Sequence, residues 1–78
     1  MQAQIDAVIR AVSHVMSWPE DVLAASTPFA SSGVDSIALI VIADVIESQN
    51  PSWSVSDDVL KSARNIEMLA AGIVVGDK

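Results

Sequence analysis

The chain has 78 residues and no cysteine. That length sets a single domain, residues 1–78, and the missing thiols exclude disulfides, thiolate metal sites and a cysteine nucleophile. Ten acidic residues face four basic ones, a formal net charge of −6, which argues against nucleic acid as a partner and for proteins with basic docking faces.

The first residues, Met1-Gln2-Ala3-Gln4-Ile5-Asp6, hold no basic stretch, so no signal peptide is read. Ile37–Ala43 is the longest apolar run and is far too short to span a bilayer. The expectation is a soluble cytoplasmic monomer without a membrane partner. His14 is the lone histidine, too few for a histidine-built zinc site or a His-based triad. It reads as a surface or half-buried side chain.

Ile5, Val8, Ile9, Val12 and Met16 recur at three-and-four spacing, while Asp6, Arg10 and Ser13 fall opposite. This predicts a helix from about Gln2 to Ser17. Pro19 stops it, because the residue before a proline is pushed out of helical geometry. A long loop, Trp18 to Val34, follows. Pro19-Glu20-Asp21-Val22-Leu23 predicts one helical turn inside it. Ser31-Ser32-Gly33 is turn chemistry.

Ile37 to Ile46 is apolar over a helix-length run. Its β-branched residues leave a buried strand as the alternative. Length, the polar residues at its start and the Asp44/Glu47 face favour a helix from about Ser36 to Gln49. Asn50-Pro51 ends it. Ser56-Asp57-Asp58 starts a short helix to about Ser62. Asn65 caps a last helix with Ile66, Leu69, Ala70 and Ile73 inward. Gly76-Asp77-Lys78 is expected to fray. Trp18 and Trp53 are expected to anchor loops over the core, and Met16 and Met68 to fill it.

The chemistry concentrates in Gly33-Val34-Asp35-Ser36-Ile37. Gly33 permits a sharp turn. Asp35 and Ser36 sit at a helix start, where backbone N–H groups lack helical partners and an anion is favoured. No histidine or lysine lies near Ser36 in sequence, and no oxyanion-hole signature is visible. A serine so placed suits modification by another enzyme, not catalysis. The plain alternative for Ser36 is an N-cap, and Asp35 is equally a capping acid.

This segment resembles the Gly-x-Asp-Ser-Leu attachment motif of acyl and peptidyl carrier proteins, with Ile37 in the leucine position. Other stretches are similar in order to that family. Pro19-Glu20-Asp21-Val22 resembles the start of its first loop, and Phe29 its apolar loop anchor. Trp53-x-Val55 followed by Asp57-Asp58 resembles the approach to its short third helix. The resemblance covers nearly the whole chain.

The resemblance implies an all-α four-helix bundle: three longer helices, a short third one and a long first loop. It implies a carrier, not an enzyme. A phosphopantetheinyl transferase would move a 4′-phosphopantetheine arm from coenzyme A to Ser36, framed by Gly33, Asp35 and Ile37. Asp35 would lie beside the transferred phosphate. The arm's thiol would hold cargo as a thioester for loading, condensing and tailoring enzymes. Docking would fall to Ile37, Ile40 and Val41, with Leu39, Ile42 and Ile46 in the core.

Three departures bear on the pathway. Ala38 and Val41 stand where fatty-acid carriers commonly have acids, so Asp44 and Glu47 are the only acids of that helix. Ser32 replaces a leucine common before the glycine. The pattern is closer to polyketide or nonribosomal peptide carriers. The alternatives are a fatty-acid carrier or a helical interaction domain without an arm.

Overall fold

The computed structural model describes residues 1–76. Four helices pack around one core: α1 (Gln2–Met16), α2 (Ser36–Gln49), α3 (Asp57–Ser62) and α4 (Ile66–Ala71). Two short strands, β1 (Trp53–Ser54) and β2 (Val74–Val75), pair antiparallel with Trp53 opposite Val75. This is the expected four-helix bundle, with a difference in detail. The last helix is six residues long, as short as α3. It ends before Gly72. Ile73 is buried as expected, but beyond the helix. The β-branched Val74 and Val75 then extend into β2.

The apolar face of α1 is inward: Val8, Ala11 and Val12 are buried, and Ile5, Ile9 and Met16 pack against them. Ser17 turns into the left-handed region at φ 58°, and Trp18 N–H donates to the Ser13 carbonyl. The helix therefore stops by a left-handed cap just ahead of Pro19. A single 3₁₀ turn, Glu20–Val22, is the expected turn in the loop.

The long first loop is tightly held. Leu23, Phe29 and Val34 are buried in the core. Phe29 N–H donates to the Arg64 carbonyl at 2.9 Å, and Glu67 N–H to the Ala25 carbonyl at 2.8 Å. These bonds dock the loop across the α3–α4 junction and satisfy backbone groups that a loop would otherwise bury unpaired. Ser32 is buried too, and its hydroxyl donates to the Pro28 and Phe29 carbonyls. A leucine would leave those carbonyls without this donor.

Both short helices have the caps their sequence announces. Ser56 accepts from Val59 N–H, and Asn65 accepts from Met68 N–H at 2.8 Å. Gly72, just past the end of α4, lies against Val59 of α3. A Cβ there would overlap the Val59 isopropyl group.

One expected core residue is not in the core: Met68 is 44% exposed. Met68 follows Ile66 by two positions, which places it on the outer side of α4. Trp18 lies along the loop surface, its indole N–H donating to the Ser32 carbonyl at 3.1 Å. Trp53 is half-buried against the core, and His14 is exposed. Gly76 is held, its N–H donating to the Ser52 carbonyl at 2.6 Å. The rest of the expected tail, Asp77 and Lys78, lies outside the described residues.

Candidate functional site

The Gly33–Ile37 segment forms the turn into α2. Gly33 has φ 77°, a left-handed geometry that favours glycine. Val34 is buried and donates its N–H to the Phe29 carbonyl at 3.0 Å, which pins the turn to the core. Asp35, not Ser36, is the N-cap. Its carboxylate accepts from Ala38 N–H at 2.8 Å, and its own backbone is extended. Ser36 is thus the first helical residue and exposed.

The hydroxyls of Ser13, Ser31, Ser32 and Ser62 donate to backbone carbonyls and Ser56 is a cap, whereas among the described residues Ser17, Ser26, Ser48, Ser52 and Ser54 make no side-chain hydrogen bond and line no groove with an apolar helix face. Ser36 instead opens onto a groove of about 300 Å³ between α2 and α3, lined with Ile40, Asp57, Leu60 and Lys61.

α2 carries two apolar stripes of identical spacing. Leu39, Ile42, Ala43 and Ile46 are buried. Ile37, Ile40, Val41 and Asp44 are exposed. The two isoleucines are exposed by 72% and 54%, and Val41 by 44%. Asp44 decides which stripe faces out, because burying an unpaired carboxylate is costly. Glu47, expected on the same acidic face, has another task. It is half-buried, and its carboxylate accepts from Val55 N–H at 2.8 Å, tying α2 to the segment before α3. Asp44 is left as the exposed acid of α2.

Lys61 escaped the reading along the chain, since it is remote from Ser36 in sequence and reaches the groove only through the fold. Lys61 is exposed. Among the described residues no cluster of His, Cys, Asp and Glu could hold a metal ion. Among the same residues no helix is long and apolar enough to cross a membrane.

The arrangement defines a small helical bundle that presents one serine at the mouth of a partly apolar groove. A family model described as the phosphopantetheine attachment site matches residues 6–73. The chain belongs to that family, and is a carrier domain for covalently attached 4′-phosphopantetheine. No curated protein and no solved structure matches it. The residues present fit the arm: a free-standing hydroxyl to receive it, and the apolar walls of Ile40 and Leu60 beside that hydroxyl.

Proposed function

We propose that Ser36 is the attachment residue, and that the chain carries acyl or aminoacyl intermediates between enzymes of a polyketide, nonribosomal peptide or related specialised pathway. The observation that carries this reading is the exposed Ser36 at the start of α2, next to a groove, in a chain of the attachment-site family. In the transfer reaction the Ser36 oxygen bonds to the phosphorus nearest the pantetheine of coenzyme A. The pyrophosphate bond breaks, the nucleotide portion leaves and the hydroxyl proton passes to a base on the transferase. When bound, the arm supplies a thiol that holds cargo as a thioester.

Everything else about the carrier is presentation. Asp35 holds the first turn of α2 in shape and Gly33 shapes its approach. Tethering raises the local concentration of cargo at each partner's active site. The chain has no catalytic role in this reading.

The outer stripe of α2 is the docking face, with Ile37, Ile40 and Val41 against the transferase and the loading, condensing and tailoring enzymes. Apolar residues beside the mouth of the site, with Asp44 at their edge, have the make-up of a protein contact. The specialised pathway is favoured over fatty-acid synthesis by this apolar character. With Glu47 occupied by Val55 N–H, α2 offers a single exposed carboxylate to a basic partner.

Intact-protein mass spectrometry tests the attachment. Incubation with coenzyme A and a broad-specificity phosphopantetheinyl transferase is expected to add one phosphopantetheine, and none to Ser36→Ala. Equal addition to the Ser36→Ala chain moves the arm to another residue. Val41→Asp tests the docking face. It is expected to keep the helical circular dichroism and to slow loading by about tenfold, the effect of losing roughly 1.4 kcal/mol of interface. Unfolding of this variant places Val41 in the core instead.

A further inference from the structure

Lys61 has no place in the attachment chemistry, yet it lines the groove that Ser36 opens onto. We infer that Lys61 is a positioning residue that pairs with the phosphodiester of the attached arm and lays the arm along α3. The inference rests on the reading of Ser36 as the attachment residue.

An attached phosphodiester carries one negative charge into a chain of net charge −6. The usual balance for such an anion is the N-terminus of the helix. Here that end is partly taken. Asp35 already accepts from Ala38 N–H at 2.8 Å, and its carboxylate repels a second anion beside it. Asp57 lines the same groove and repels it too. The compensating charge that the chain itself can offer is a basic side chain.

The chain has four: Arg10, Lys61, Arg64 and Lys78. Arg10 lines a cleft with Asp6, Gln49 and Trp53, at the far end of α2 from Ser36. Arg64 is exposed in the link between α3 and α4 and is not among the groove residues. Lys78 lies outside the described residues. Lys61 is the cation that the described fold brings to the groove. Its flexible stem lets an ammonium reach a nearby phosphate as a point charge. Ile40 and Leu60 form the apolar part of the same groove and suit the arm's branched methyl groups.

The test uses the full chain, loaded with phosphopantetheine and checked by intact mass, as wild type, Lys61→Gln and Lys61→Arg. The readout is the phosphorus-31 chemical shift of the attached phosphodiester at low and at high salt. The wild type is expected to show a salt-dependent shift, because salt screens an exposed pair. Lys61→Gln is expected to lose the attractive part of that dependence, leaving only the screened repulsion from Asp35 and Asp57, and Lys61→Arg to keep it. Loading should also move the backbone amide signals of Leu60 and Lys61 in the wild type, and less in Lys61→Gln. A salt response identical in wild type and Lys61→Gln overturns the pairing while leaving Ser36 as the attachment residue. Loss of the response in Lys61→Arg as well overturns it too, since the charge is still there. Loading that persists in Ser36→Ala overturns both.

Discussion

Replacing Asp35 with alanine and with asparagine separates the two tasks that a carboxylate has at this position. In the folded chain it accepts from Ala38 N–H at 2.8 Å and caps α2. Alanine removes the acceptor and leaves that N–H to water. The usual cost is about 1 kcal/mol, within a range of about 0.5–2. Chains of this size are stable by roughly 4–12 kcal/mol, so the loss is visible, and it lowers Tm by about 4–8 °C. Asparagine keeps an acceptor oxygen at the same place and is an equally good cap. It removes only the charge near the helix N-terminus, about 0.3–1 kcal/mol at low ionic strength. Asp35 is exposed, so that smaller loss shrinks as salt is added. Thermal melts of the two variants at low and high salt check this. At high salt Asp35→Asn should melt with the wild type and Asp35→Ala several degrees below it. Equal melting of Asp35→Ala and wild type, or equal losses in both variants at high salt, refutes the capping account. The loading rate of Asp35→Asn then isolates the second task. Slow loading in a chain of unchanged stability means that the charge acts on the transfer, beside the phosphate.

Gly33→Ala is expected to destabilise by about 1–2 kcal/mol, from the left-handed backbone at φ 77°. The added methyl meets only the Met16 terminal carbon at an ordinary 3.6 Å, so Gly33→Asn, which tolerates that geometry better, should recover part of the loss in urea unfolding. Gly72→Ala is expected to cost about 1–3 kcal/mol by overpacking against Val59. Adding Val59→Ala makes room, and the double variant should lose less than the two single losses combined. Ile42→Ala, at a site with no solvent exposure, should cost about 2–5 kcal/mol, read as a lower midpoint in a denaturant titration.

What could be read along the chain was whatever rests on local spacing. α1 and α2 follow from apolar periodicity, and the caps Ser56 and Asn65 from residue type just before a run. The motif at Gly33–Ile37 announced itself because a turn, a cap and a helix start are all local. Failures come where a distant neighbour decides. Two-residue strands have no period, so nothing local announces the pairing of Trp53–Ser54 with Val74–Val75, and Ile73 reads as helical although α4 ends at Ala71. Met68 reads as core by residue type, although its position two residues after Ile66 puts it on the outer side. Lys61 is the most consequential omission. Only the packing of α3 beside α2 puts it in the groove with Ser36.

The two stripes of α2 let one helix serve the fold and, in the proposed function, its partners as well. Each repeats at the same three-and-four spacing, and hydropathy alone would let either face the core. A lone Asp44 in one stripe breaks the tie. The stripe with Leu39, Ile42, Ala43 and Ile46 is buried, and the penalty for burying Asp44 keeps the other at the surface. Ile37, Ile40 and Val41 then remain exposed although they are apolar, and the fold has no need of them. An exposed isoleucine taken singly requires no explanation. Three large apolar residues on one stripe, beginning beside Ser36, form a continuous patch. Ser36 and that patch belong to the same helix, so a partner that grips the patch finds the serine at a fixed distance along a rigid element. Glu47 reinforces this by anchoring the far half of α2 to Val55. The Glu47 carboxylate is thereby spent on holding α2 in place and not on a partner.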